Sequence, residues 1–346
     1  MQTEQYIHLK KTTMKIAIFS TKSYDKEYFE KYNSEGIHTF TYFEEYLNNK
    51  TTNLTLGGFE AVCIFVNDKL DNETITKLAE NGIKLIALRC AGFNNVDLQS
   101  AADNNIKVVR VPAYSPQAVA EQAVALIMTL NRKTHKAYNR IREGNFSLEK
   151  LIGFNLYNKT VGVVGTGRIG EAFCKIMLGF GCKVIAYDIY ENLNLIQEGV
   201  KYVPFDEMIK TSDIISLHCP LTPETNYLIN NQTLSEMKKG VMLINTSRGG
   251  LVNSSDAIIA LKNKQLGYLG IDVYEQEENL FFKDLSENII YDDLILRLIS
   301  FPNVLITSHQ GFLTKEALEQ IAKTTMENIS NVEKNIETKN EVSLNN

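Results

Sequence analysis

Three polar residues in the second half of the chain stand at the carboxyl ends of apolar, strand-like runs. Arg248 ends Val241-Met-Leu-Ile-Asn-Thr-Ser-Arg, Glu277 closes Gly270-Ile-Asp-Val-Tyr-Glu-Gln-Glu, and His309 ends Val304-Leu-Ile-Thr-Ser-His. An arginine guanidinium is a planar fork that can hold a carboxylate through two parallel hydrogen bonds. A carboxylate beside an imidazole favours the protonated ring, which can then donate to a carbonyl oxygen. In an open α/β sheet, ligands bind just outside the carboxyl ends of the strands, so these three positions could share one site. Alone, Arg248 would read as a surface ion-pair partner and His309 as a cap or core residue; together with Glu277 they read as chemistry. His8, His38 and His135 are poorer candidates, the last on the polar part of a long helix. His218, ending Ile-Ile-Ser-Leu-His, is the best competitor, but its place suits shaping a dinucleotide pocket.

Upstream lies Gly165-Thr-Gly167-Arg-Ile-Gly170, after the strand-like Val161-Gly-Val-Val and before a helical stretch, Glu171–Phe180. That context turns a weak motif into a meaningful one. Its glycines allow a tight turn and close backbone approach, so a pyrophosphate can meet amides at a helix N-terminus. Asp188 ends the next strand, Val184-Ile-Ala-Tyr-Asp, where a carboxylate can accept from ribose hydroxyls and would repel a 2′-phosphate. No Lys or Arg follows until Lys201, which favours NAD over NADP. A dinucleotide with an arginine, an acid and an imidazole points to a dehydrogenase. In the first half, Leu88-Arg-Cys-Ala91-Gly92 puts small residues where free amides could face a carboxylate, although Gly92 would serve a plain turn equally well.

The elements that must carry these residues alternate. Met14-Lys-Ile-Ala-Ile-Phe reads as the first strand after a loose polar extension, and Ala61–Val66, Leu85–Cys90 and Lys107–Val111 follow, separated by helix-compatible stretches. Ser115-Pro116 then opens a helix, with Pro at a favoured first position. Six further strands are expected at Thr160–Val164, Val184–Tyr187, Ile214–Leu217, Val241–Asn245, Tyr268–Ile271 and Val304–Thr307. The pattern is α/β, with doubly wound parallel sheets. A last helix runs from Gly311 to about Glu333. It has no place in the six-stranded sheet, so it is expected to return to the first unit, with a frayed end.

Composition narrows the alternatives. At 346 residues, with 44% hydrophobic and 22% charged residues, the chain can bury two cores. A net charge of −5 gives no pull toward nucleic acid or anionic membrane. No apolar run is long enough to span a bilayer, and the polar start lacks a signal core, so a cytoplasmic protein is expected. The five cysteines show no CxxC spacing, which argues against zinc or a disulfide framework, and no metal is expected.

These motifs resemble the D-isomer-specific 2-hydroxyacid dehydrogenase family, nearest its bacterial fermentative D-lactate dehydrogenase branch. The matching stretches are Arg89-Cys-Ala-Gly-Phe-Asn-Asn-Val-Asp, Val111-Pro-Ala-Tyr-Ser-Pro-Gln-Ala-Val-Ala-Glu, Gly165–Gly170, Leu217-His-Cys-Pro-Leu-Thr-Pro-Glu-Thr, Asn245-Thr-Ser-Arg-Gly, Gly270–Glu277 and Ser308-His-Gln-Gly-Phe-Leu-Thr. They span nearly the whole chain from Met14. The resemblance implies two Rossmann-like or flavodoxin-like domains with a cleft between them. A discontinuous substrate domain (1–114 and 311–346) would flank an NAD-binding domain (115–310). It implies that Arg248 binds the substrate carboxylate, His309 is the general acid/base and Glu277, five residues after Asp272, is its partner in preference to Glu275. Cofactor contacts would be Gly165, Gly167, Arg168, Ile169, Gly170, Asp188, Cys219, Pro220, Thr225, Thr246, Ser247, Arg248 and Asp272, the last at the nicotinamide end. Substrate contacts would be Ala91, Gly92, Tyr114, Arg248, His309 and Phe312. The segment from Glu278 to Ser300 resembles an insertion of the D-lactate branch, so the expected reaction is reversible reduction of pyruvate by NADH, in at least a homodimer. The alternatives are an enzyme for longer 2-ketoacids and a non-catalytic NAD-sensing protein. Gly250 and Gly311 stand where relatives often carry alanine.

Overall fold

The computed structural model describes residues 14–33 and 36–344, so the expected loose extension and His8 lie outside the described residues. The chain divides into two compact units: one comprises the chain up to Ser115 and again from Thr314, the other Pro116–Leu313. Gly311 and Phe312 thus group with the second unit.

In the first unit, β1 (Lys15–Ile18), β2 (Thr39–Tyr42), β3 (Ala61–Ile64), β4 (Leu85–Leu88) and β5 (Lys107–Val109) form one sheet. Its order is β2-β1-β3-β4-β5, a flavodoxin-like arrangement, and its neighbours pair in parallel. The central runs Ala-Val-Cys-Ile and Leu-Ile-Ala-Leu are buried throughout, as expected of parallel strands covered on both faces. β2 escapes the sequence reading because it is an edge strand, Thr-Phe-Thr-Tyr, with no fully buried residue and no continuous apolar run.

The second unit holds β6 (Thr160–Val164), β7 (Lys183–Tyr187), β8 (Lys201–Tyr202), β9 (Ile214–Leu217), β10 (Val241–Asn245), β11 (Leu266–Ile271) and β12 (Val304–Ile306). The order β12-β11-β10-β9-β6-β7-β8 is the doubly wound dinucleotide arrangement with one strand added. The sheet has seven strands where six are expected. The extra one, β8, is only Lys-Tyr at the edge and leaves no periodic trace. The order reverses between β6 and β9, which places the topological switch point at the end of β6, where the glycine turn begins.

The helix opened by Pro116 ends at Arg132, because Lys133 adopts a left-handed φ of 51°. His135 therefore sits on a separate helix, Thr134–Arg142, and not on the long one. The long helix packs on the sheet where Gly270 leaves room: a Cβ there would come within 2.9 Å of Ile244 Cδ1 and 3.0 Å of Leu130 Cδ1. No helix among the described residues is long and apolar enough to cross a membrane.

The last helix, Lys315–Glu333, belongs to the first unit and packs on the helix Ser23–Tyr32. The chain after it is tied down where fraying is expected. Buried Asn328 donates to Arg110 O and accepts from Asn340 Nδ2, both at 2.8 Å, and Val342 N donates to Val108 O at 2.8 Å. The polar residues that suggest disorder in the sequence are used here as internal hydrogen-bond partners.

At the end of β4, Arg89 is buried, with 1% of its surface exposed. Its guanidinium donates to Phe19 O (2.9 Å), Ser20 O (2.8 Å) and Asp25 Oδ1 (3.3 Å). A buried charge is tolerated only while paired and hydrogen-bonded. Asp25→Ala should therefore lower the unfolding free energy by about 3–5 kcal/mol. Urea unfolding measures this, and a midpoint equal to the parent's would show that Asp25 is not the compensating charge.

Candidate active site

His309 lies in the turn after β12, and its backbone φ of 50° is left-handed, a conformation uncommon for a side-chain-bearing residue. The turn is held by Asp272, which follows β11 and is 1% exposed. Its carboxylate accepts from Thr307 Oγ1 (2.5 Å), Gln310 N (2.9 Å) and Gly311 N (2.8 Å), and its carbonyl accepts from His309 N (2.7 Å). Burial pushes the Asp272 pKa above the ordinary carboxylate range, although hydrogen bonds from Thr307 and Gln310 oppose the shift. Gln122, on the long helix, donates to Thr307 Oγ1 at 3.1 Å and extends the brace.

So fixed, His309 Nδ1 meets Glu277 Oε1 at 2.8 Å, while Glu277 Oε2 accepts from Tyr274 N at 3.0 Å. With the Glu277 carboxylate at Nδ1, the Nε2 side of the ring is left for a ligand. Glu275 is used elsewhere: it accepts from Tyr227 OH (2.8 Å) and Ser254 N (3.2 Å). Glu277, and not Glu275, is the carboxylate on the imidazole.

Arg248 sits in the turn after β10, the strand on the other side of β11 from β12. Among the described residues its guanidinium donates only to Ser247 O, at 2.7 Å, which leaves donors of the fork for a ligand. The sequence suggests that the following glycines let backbone and ligand approach closely. Gly249 does admit backbone, since a Cβ there would lie 2.1 Å from Tyr274 C. Two residues that shape this turn carry no sequence signal of their own. Buried Asn245 accepts from Ser247 N (3.0 Å) and donates to Arg248 O (2.8 Å), closing the turn from inside. Tyr227, through Glu275, ties the neighbouring loop to the same region.

The glycine turn follows β6. A Cβ on Gly165 would strike Cys219 N at 2.6 Å, and one on Gly170 would strike Gly165 O at 1.9 Å, but Gly167 faces open space. Two glycines thus permit internal packing while the middle one leaves the approach to the helix N-terminus at Arg168 and Ile169 clear. Asp188 accepts from Thr166 N (2.5 Å), Thr166 Oγ1 (3.1 Å) and Tyr190 N (3.1 Å). Tyr202, from the unanticipated β8, donates to Thr166 Oγ1 at 2.7 Å and steadies this corner.

Cys219 and Pro220 follow β9 opposite the glycine turn, and Ser247 Oγ donates to Cys219 O at 2.7 Å. Thr225 spends its hydroxyl inside the same loop, donating to Pro220 O at 2.7 Å. Thr246 Oγ1 is buried without a partner among the described residues. The open face at Gly167, the carboxylate of Asp188 and this orphaned hydroxyl fit a dinucleotide laid along the strand ends. His218 lies beneath the turn, its Nε2 2.9 Å from Ser216 Oγ, and burial pushes its pKa down to about 3. It stays neutral and is unsuited to donate a proton.

Phe312 is buried at 5% exposure beside the His309 turn. Ala91, Gly92 and Tyr114 belong to the first unit, beyond the ends of β4 and β5, and Ala91 O accepts from Arg110 Nη1 at 2.8 Å. The five cysteines are buried and form no disulfide among the described residues. Among the described residues no group of three His, Cys, Asp or Glu side chains is placed to hold a metal.

Comparison with known proteins agrees with this geometry. Residues 124–311 match the model for the D-isomer specific 2-hydroxyacid dehydrogenase, NAD binding domain. The chain is 51% identical to the D-lactate dehydrogenase of Escherichia coli over 329 residues, covering 95% of this chain and 100% of that one. The apo-structure of the Escherichia coli enzyme aligns with a TM-score of 0.87 at 50% identity, over 95% of this chain and 100% of that one. The D-lactate dehydrogenase with NAD+ from Lactobacillus jensenii aligns at 0.79 and 31% identity, over 95% and 100% of the two chains. The chain belongs to the D-isomer specific 2-hydroxyacid dehydrogenases, and its second unit is their NAD-binding domain.

Proposed function

We propose that this protein is an NAD-dependent D-lactate dehydrogenase that reversibly reduces pyruvate to D-lactate with NADH. The observation that carries this is the Glu277–His309 contact of 2.8 Å, formed at the same strand ends as Arg248 and the dinucleotide turn. Glycines 165, 167 and 170 with Arg168 and Ile169 would receive the pyrophosphate, and Asp188 the adenosine ribose. Cys219, Pro220, Thr225, Thr246, Ser247 and Asp272 would line the remainder. When bound, NADH supplies the hydride that becomes the C2 hydrogen of lactate.

The chain's own groups do the rest. Arg248 holds the ketoacid carboxylate by its fork and so orients the neighbouring carbonyl. His309 Nε2 donates a proton to the ketone oxygen as negative charge develops there. Glu277 holds the ring by Nδ1 and offsets the positive charge of the imidazolium. In the reverse direction the same nitrogen accepts the hydroxyl proton. Ala91, Gly92 and Tyr114 of the first unit, which this assignment makes the substrate domain, and Phe312 of the second would complete the contacts to substrate.

A homodimer and a cytoplasmic location belong to the same proposal. The first is supported by the stretch 143–150, in which every residue is exposed, with Phe146 at 74% and Leu148 at 81%. Large exposed apolar side chains in one run mark an interaction surface. Five buried cysteines outside any disulfide suit a reducing compartment.

NADH oxidation should be seen with pyruvate, and more weakly with 2-ketobutyrate, 2-ketoisocaproate, phenylpyruvate and hydroxypyruvate. His309→Asn should lower kcat by about 10²–10⁴ with NADH affinity little changed by fluorescence titration; parental turnover would rule out its role. Light scattering should give a dimer for the parent and a monomer for Phe146→Glu combined with Leu148→Glu. An unchanged mass would remove this stretch from the interface.

A further inference from the structure

The segment between Glu277 and the start of β12 brings an aromatic ring to the histidine. Phe282 lies with its ring centroid 6.2 Å from that of His309, tilted by 33°, and 6.5 Å from that of Phe312. Its backbone φ is 63°, in the left-handed region that a bulky residue with a Cβ rarely occupies. Glycine would take that conformation without strain. A phenylalanine held there against its preference is the kind of outlier from which a functional role is inferred.

The conformation is imposed from both sides. Leu280 N and Phe281 N both donate to Glu277 O, at 3.0 and 2.9 Å, so the chain turns directly off the residue that holds His309. Phe281 is 6% exposed and packs in the core of the second unit. Phe282 N reaches Ser308 Oγ at 3.4 Å, one residue before His309. Farther along, Tyr274 OH contacts both Asp292 oxygens, at 3.0 and 2.9 Å, and Asp292 caps the helix Asp293–Ile299. Tyr274 is itself the residue whose amide holds Glu277. Tyr274 thus anchors the catalytic carboxylate by its amide and the far end of the segment that presents Phe282 by its hydroxyl.

We propose that Phe282 is a specificity-determining residue, which with Phe312 forms an apolar wall beside His309 that favours ketoacids with a short side chain. This rests on the D-lactate dehydrogenase assignment above. Glu277 occupies Nδ1, so a ketone on Nε2 must carry its alkyl substituent past whatever rings flank the imidazole. The Phe282 ring beside it, backed by Phe312, would leave room for a methyl group and crowd a longer chain.

The test compares kcat/KM for 2-ketoisocaproate and phenylpyruvate with kcat/KM for pyruvate in the parent, Phe282→Ala and Phe282→Leu. The ratio should rise about tenfold or more in the alanine variant and by less in the leucine variant. NADH affinity by fluorescence and the thermal midpoint should stay near the parent's. If the alanine variant does not fold, the leucine variant carries the test. Unchanged ratios, or equal losses on every substrate, would overturn the wall and leave the assigned activity standing. Absence of pyruvate turnover in the parent would overturn both.

Discussion

The buried carboxylate of Asp272 is the constraint on which the site depends. It closes β11 and takes three hydrogen bonds from the turn after β12, and its carbonyl takes a fourth from His309 itself. An anion removed from water is unfavourable unless its lone pairs are filled. Those donors therefore cannot drift without leaving Asp272 uncompensated. The same requirement holds His309 in a left-handed conformation it would not choose, and from there its Nδ1 reaches Glu277. The free energy of folding the second unit is thus coupled to the orientation of one imidazole.

The surrounding site follows from strand order. β6, β7, β9, β10, β11 and β12 are parallel, so the residues that follow them emerge at one edge of one sheet: the glycine turn, Asp188, Cys219, Arg248, Asp272 and His309. A dinucleotide would lie along the crevice at the switch point, and the groups proposed to hold substrate come from the strands beyond it. The Arg248 turn is as firmly built as the His309 turn. Asn245 closes it from within, and Gly249 packs on the Tyr274–Glu275 backbone. Each turn leans on the strand or loop beside it, so the separation between the arginine and the histidine is set by sheet geometry and not by flexible loops.

Much of this was legible in the sequence because the strands are continuous apolar runs and the reactive residues stand at their ends. The distinction between Glu277 and Glu275 was drawn from family resemblance, and the structure gives its physical content: one carboxylate faces His309, the other binds Tyr227 and the amide of Ser254. What stayed hidden has physical reasons. β2 and β8 are short edge strands with no buried run. The break at Lys133 and the strained backbone of His309 and Phe282 are imposed by tertiary contacts, against local preference. Asn245 and Tyr202 act only through turns that bring distant or adjacent backbone together, and a polar residue in a strand end does not announce such a partner. The tail after Glu333 has a composition that reads as frayed, yet its described residues are held by Asn328 and by the backbone bonds of Asn340 and Val342 to the neighbouring strand end.

The most direct test of the brace is Asp272→Asn. An amide can still accept from Thr307 and Gln310, but its nitrogen would face the Gly311 N–H, donor against donor. NADH binding by fluorescence titration and kcat with pyruvate should then separate: affinity close to the parent's, and kcat lower by about 10², the scale expected when a catalytic group is misplaced by roughly an ångström. Parental kcat in a folded Asp272→Asn protein would contradict the account, as would a fall in kcat that merely follows lost NADH affinity.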